Sequence, residues 1–219
     1  MKLSEILEQR WSCRAFRPGA VPEQTLRVVL ELAQRTPSWC NTQPWHVHLL
    51  GPDATARFAA SLTAHVQSSA PSPDLPMPAE YVGVYRDRRR ESGFALYASL
   101  GIARDDLEAR GRQMLRNFSF FGAPQVAVVT TDRSQGVYGA IDCGGYVANL
   151  LNAAHAHGVA TVPQAAVAMY SGHVREVLGI GDDRLVVCAV GLGFADEADP
   201  VNRFRTSRAS LDEAVTFVE

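Results

Sequence analysis

The chain has 219 residues, of which 47% are hydrophobic and 20% charged, and its formal net charge is −2. That length supports one good core, or one core with an elaborate excursion, in an ordinary globular balance. A charge so near zero gives no general field for nucleic acid or an anionic membrane, and no apolar run approaches the ~20 residues of a membrane helix.

Leu3, Ile6 and Leu7 predict a short amphipathic helix ending near Arg10. The acidic start Met1-Lys-Leu-Ser-Glu is unlike a secretory signal, so a cytoplasmic location is expected. Pro22-Glu23 opens a second helix, with Leu26, Val29, Leu30 and Ala33 on one face and Pro37 as its stop. Trp45 to Leu50 alternates and ends at Gly51-Pro52, which predicts a strand, and a helix follows over about 54–66. Four prolines between Pro71 and Pro78 exclude helix or inner strand there. The stretch 81–116 reads as helical and charged, and 125–131 as a buried strand. A long helix over 140–157, closed by Gly158, is apolar nearly all round, so it is central or lies at a subunit interface. A short strand before Pro163, a helix over 172–178, a strand over 184–190 and an extended C-terminal arm complete the chain. Few strands separated by helices predict an α+β sandwich: a small mixed sheet flanked by helices, in one domain over 1–219 with a helical excursion at about 71–121.

Two segments carry chemistry. Arg10, Ser12 and Arg14 place two guanidinium groups four positions apart around a hydroxyl, so a helical turn brings both cations to one side. Fork-shaped donors suit a phosphate. Pro37-Ser-Trp-Cys-Asn-Thr-Gln-Pro-Trp45 is short, stiffened by prolines and rich in amide and hydroxyl groups that can read the edge of a flat heterocycle. Together they point to a nucleotide-like cofactor.

The pattern Arg10-x-Ser12-x-Arg14-x-Phe16 resembles the start of the FMN-dependent nitroreductase family. Pro37, Ser38, Asn41, Gln43, Pro44 and Trp45 resemble its second signature, and the stretches from Gly158 to Ala165 and from Asn202 to Arg208 agree in order. The resemblance implies the same sandwich, an intertwined homodimer with FMN at the subunit interface, and a C-terminal arm wrapped on the partner. It implies that Arg10, Ser12 and Arg208 hold the FMN phosphate, with Arg205 a second candidate, and that Arg14 lies near the pyrimidine edge of the ring. A lysine two residues before the last arginine in several members is Thr206 here, which leaves the division between Arg205 and Arg208 open. Ser38 and Asn41 would serve the other subunit's flavin, while Pro37 and Trp39 would add backbone and shape; Trp11 is a further cofactor-binding candidate beside Arg10 and Ser12. Gln43 either joins them or ties down the loop, and Trp45 is core. The Pro163-Gln164-Ala165 loop would lie along one flavin face. NAD(P)H and an oxidised aromatic acceptor would take turns above the flavin in a ping-pong cycle that needs no catalytic side chain.

The Arg86–Arg90 run reads as a solvated helix face or, alternatively, as a partner for an acidic nitroaromatic such as nitrobenzoate, a class that the stretch 117–121 also loosely resembles. Cys13, Cys40, Cys143 and Cys188 lack metal-pair spacing and read as free thiols of a reducing compartment. His46 with His48 would share a strand face but find no third ligand. No nucleophile elbow or Walker loop is present, and Gly191-Leu-Gly193 lacks the third glycine of a dinucleotide fingerprint. The remaining rivals are an FMN oxidase, dehydrogenase or reductive dehalogenase on the same scaffold, and a flavin-binding protein without turnover.

Overall fold

The computed structural model describes residues 1–218. Its elements run α1 (Leu3–Gln9), β1 (Phe16–Arg17), α2 (Glu23–Ala33), β2 (Trp45–Leu50), α3 (Pro52–Ser68), α4 (Gly83–Ser99), α5 (Leu107–Leu115), β3 (Gln125–Asp132), α6 (Gly136–Ala156), β4 (Ala160–Gln164), α7 (Ser171–Leu178), β5 (Arg184–Ala195) and α8 (Leu211–Ala214). Strand β5 is the spine of the sheet. It pairs with β3 over most of its length, with β4 on its other side, and with β1 at its end, where Phe16 opposes Ala195. Strand β2 closes the far edge against β3.

Every ladder is antiparallel, so the expected mixed sheet shrinks to one isolated parallel bridge, Ser12 to Thr161. Helix-separated strands favour parallel crossovers. Here several helices intervene between β2 and β3, and the chain returns in the opposite sense.

Period-two alternation splits the apolar residues between two cores. Ala127 and Val129 face α2 and α6, while Val126 and Val128 face α3 and α7. Phe58 and Leu62 anchor α3 on that second side at 1% and 0% exposure, each worth roughly 1.5–3 kcal/mol of apolar burial. A bulge breaks the register: Val129 opposes Cys188 but Thr130 opposes Val186. The extra residue, Val187, lets Val187 and Cys188 both turn toward the α2/α6 core while Val186 and Ala189 face away.

Helix α6 starts at Gly136 rather than Ala140, because a turn at Arg133–Gln135, capped by Asp132 on the Ser134 N–H at 2.8 Å, feeds it earlier. Gly158 takes φ +72 beyond its end, as expected. Cys143, Tyr146, Leu150 and Ala154 are buried, yet Val137, Tyr138 and Ile141 stand 66%, 52% and 59% exposed. The helix is therefore central along most of its length and bare at its N-terminal end.

In the excursion, α4 buries no residue. Arg86 pairs with Asp87, Arg89 lies over Tyr81 at 5.2 Å, and Arg88 pairs with Glu213 of α8. These side chains are exposed in the chain, and the Arg88–Glu213 pair links α4 to α8. The proline-rich loop is pinned by Asp74, which accepts from the Val186 N–H at 2.9 Å and pairs with Arg175. No helix among the described residues is long and apolar enough to cross a membrane.

Candidate functional site

Arg10 already has extended backbone, with φ −61 and ψ 133, as α1 ends. Ser12 bridges Thr161, and the Cys13 N–H donates to the Thr161 carbonyl at 2.8 Å. The segment is therefore laid along β4 and is not the helical turn expected. Strand geometry achieves the same grouping by alternation: positions 10, 12 and 14 share a side. Cys13 points the other way, fully buried, its thiol pushed up to about 11 by burial.

From the opposite end of the chain, a turn at Pro200–Arg203 is capped by Asp199 on the Val201 N–H at 2.9 Å and releases the C-terminal arm. Phe204 is buried. The Arg205 guanidinium lies 4.5 Å from the centre of the Trp11 ring and donates to the Asn202 and Phe204 carbonyls. Arg208 donates to Thr206 Oγ1 at 2.7 Å. Between arm and N-terminal segment lies a cavity of about 680 Å³, lined by Arg10, Ser12, Arg14, Arg205, Thr206 and Arg208, with Trp11 and Phe204. Partial burial, and then the charge of Arg208, push the Arg10 guanidinium below its ordinary value.

Among the described residues, none of these four arginines forms an ion pair. Glu8 is the only carboxylate on the lining. A cluster of cationic forks without counter-ions calls for a multivalent anion. Arg14 is set deepest. Its guanidinium donates to the Ser12 carbonyl at 3.2 Å and sits 5.9 and 5.6 Å from the centres of the Phe121 and Phe204 rings. Burial pushes its pKa down, partly opposed by Cys13. Phe120 and Phe121 hold left-handed φ values of 53 and 55, a conformation that costs on the order of 1–3 kcal/mol each and concentrates at functional sites.

The second segment lies elsewhere. Pro37, Ser38, Trp39, Asn41 and Gln43 line no part of the arginine cavity. Trp39 instead borders a separate cavity of about 250 Å³ with Cys40, Tyr138 and Asp142. This loop is strained and tied: Cys40, Asn41 and Gln43 have φ of 50, 55 and 47. The Asp142 carboxylate accepts from the Trp39 N–H at 3.2 Å, and Ser38 Oγ accepts from the Gln43 N–H at 2.9 Å. Gln43 also donates to the Asn41 carbonyl and accepts from Gln34, so it ties down the loop. Trp45 is core, stacked on Tyr146 at 5.1 Å with its indole N–H on Gln34.

Pro163 and Gln164 are not loop residues. They end β4, because β5 is long enough to pair as far as Gln164 opposite Ala189, and the turn starts at the exposed Ala165. Gln164 is 3% exposed and donates to the Asn117 carbonyl at 2.6 Å, while its Oε1 is buried with no partner. The His46 and His48 rings are 4.7 Å apart on one strand face, and no metal-binding group of three exists among the described residues. Sequence reasoning missed the aromatic walls around Arg14 and the loop anchor Asp142. Phe121 and Phe204 carry no local pattern that marks them as neighbours of Arg14, and an acid on a helix face signals nothing by itself.

The fold and the donor set define an α+β protein with an arginine-lined cavity between its N-terminal segment and its C-terminal arm. The nitroreductase family model matches residues 7–194. The chain belongs to that family. It is 39% identical to nitroreductase NfnB of Mycolicibacterium smegmatis over 97% of this chain and 91% of the relative, and 34% identical to a 4-nitrobenzoate reductase of Nocardioides sp. over 97% and 88%. The crystal structure of FMN-dependent NfnB from Mycobacterium smegmatis in complex with NADPH superposes with a TM-score of 0.93 at 37% identity, covering 99% of this chain and 97% of that one.

Proposed function

We propose that the protein is a homodimeric FMN-dependent oxidoreductase that carries electrons from NAD(P)H to a small nitroaromatic acceptor. The observation that carries the reading is the 680 Å³ cavity with Arg10, Arg14, Arg205 and Arg208 on its wall and, among the described residues, no ion pair to neutralise them. That donor set fits the phosphate of FMN, since a dianion would supply the counter-charge that these guanidinium groups lack among the described residues. The names of the relatives, nitroreductase and 4-nitrobenzoate reductase, support the reaction class.

Bound FMN supplies the two-electron chemistry. The chain's residues hold and tune it. Arg10, Ser12 and Arg208 take the phosphate, and Trp11 seats Arg205 as a further fork. Arg14, desolvated between two aromatic rings, places a cation where it favours added negative charge. Pro163, Gln164 and Ala165 would line one face of the ring, with the small side chains of Ala165 and Ala166 permitting a close approach. Pro37, Ser38, Trp39 and Asn41 serve the flavin of a second copy, with Gln43 holding their loop in shape. Their separation from their own chain's cavity favours that assignment, as do Tyr138, packed on Trp39, and the bare apolar residues Val137 and Ile141 on the same end of α6. The arm need not wrap a partner to build the cavity, because Arg205 and Arg208 reach it within one chain. No side chain is assigned to proton transfer; water serves. Four free cysteines accord with a cytoplasmic site of action.

The test is spectroscopic. The purified protein, loaded with FMN under argon, bleaches with NADPH or NADH and recovers its flavin absorbance on adding 4-nitrobenzoate. Failure to retain FMN sinks the cofactor assignment, and a bleached flavin that only oxygen restores points to an oxidase instead. Elution as a single-chain species would remove the dimer.

A further inference from the structure

We infer that Asn202 is the positioning residue that assembles the anion cavity, an inference that rests on the FMN reading and assigns this side chain its part in it. Asn202 is 4% exposed. Its Oδ1 accepts from the Arg14 N–H at 2.8 Å, and its Nδ2 donates to the Ala15 and Asp196 carbonyls at 2.7 Å each. Its own carbonyl accepts from the Arg205 guanidinium at 2.7 Å. One amide thus fastens together the Arg10–Arg14 segment, the exit of β5 and the root of the arm.

The local turn does not need this side chain, because Asp199 already caps it and the Asn202 N–H already closes on the Asp199 carbonyl at 3.0 Å. What the amide sets is the distance between the two cationic segments. An apolar replacement leaves the Arg14 N–H without its acceptor and takes one of two donors from each carbonyl, since Ala15 keeps the Asp196 N–H and Asp196 keeps the Asp199 N–H. The arm then has no polar hold on residues 14 and 15 through position 202. Arg14 is placed directly, whereas Arg205 and Arg208 follow through the backbone of the arm.

The experiment compares affinities for FMN and for riboflavin, which carries the same ring without the phosphate, in the wild type, Asn202→Ala, Arg208→Ala and the double variant. Asn202→Ala is expected to reduce the preference for FMN over riboflavin about tenfold, with riboflavin weakened much less because Arg14 alone of these cations lies toward the ring. In the Arg208→Ala background the further loss should shrink to under about threefold, because both changes act on one interaction. Equal weakening of both ligands would make Asn202 merely structural, and losses that multiply would separate it from the arm; either result overturns the inference. If Asn202→Ala does not fold, the same ratio read on Asn202→Ser decides the matter, a retained preference overturning it. A wild type that prefers FMN beside a variant that does so equally sinks this inference alone, while a wild type that binds neither ligand sinks the FMN reading with it.

Discussion

Replacing Arg10 with alanine separates binding from folding. The Arg10 side chain makes no hydrogen bond or ion pair among the described residues, while burial and the charge of Arg208 both act against its protonated form. In the FMN-free protein the guanidinium is therefore no support to the fold. The backbone link that ends α1, from the Arg10 N–H to the Ile6 carbonyl at 2.9 Å, survives the change. A hydrogen bond to a charged group contributes about 1.5–3 kcal/mol, so Arg10→Ala should weaken FMN roughly 10- to 150-fold. Riboflavin affinity should hardly change. Flavin fluorescence titration reads both affinities, and thermal unfolding of the FMN-free protein should give a Tm within about 2 °C of wild type. A Tm lower by more than about 4 °C, or equal weakening of the two flavins, would refute the claim that Arg10 faces an anion rather than its own chain.

Gly193→Ala should destabilise the fold, because a Cβ there would lie 2.7 Å from Pro124 Cδ and 2.8 Å from Phe16 Cδ1; about 1–3 kcal/mol is expected from chemical denaturation, and a neutral result would mean that β1 is loosely held. Thiol labelling of the native protein should mark Cys40 alone, since Cys13, Cys143 and Cys188 are buried with thiols pushed up to about 11, 11 and 12. Mass spectrometry that finds Cys188 labelled before unfolding would contradict the packing of β5. Stability should fall as pH drops below about 6.5, the value of a free histidine. Burial foremost holds His48, His155 and His173 below their ordinary values, so the unfolded chain takes up protons that the folded chain refuses, and the loss grows down to the folded values. Denaturation midpoints that stay flat or rise from pH 7 to 5 would rule this out.

Local periodicity made several elements readable. The strand Trp45–Leu50 and the helix with Leu26, Val29 and Ala33 inward follow from residue spacing, because burial of one face needs only the local pattern. The cationic segment and the C-terminal arginines were also legible as chemistry. Their meeting was legible only through the family resemblance, and the strand-like path of residues 10–14 along β4 was not legible at all. The antiparallel sense of the sheet and the bulge at Val187 likewise belong to the tertiary structure. So does the position of Asn202. Composition and pattern say which groups must find partners; only the packed chain decides which distant carbonyls and cations are left for them, because those distances are set by the sheet register and not by neighbours in sequence.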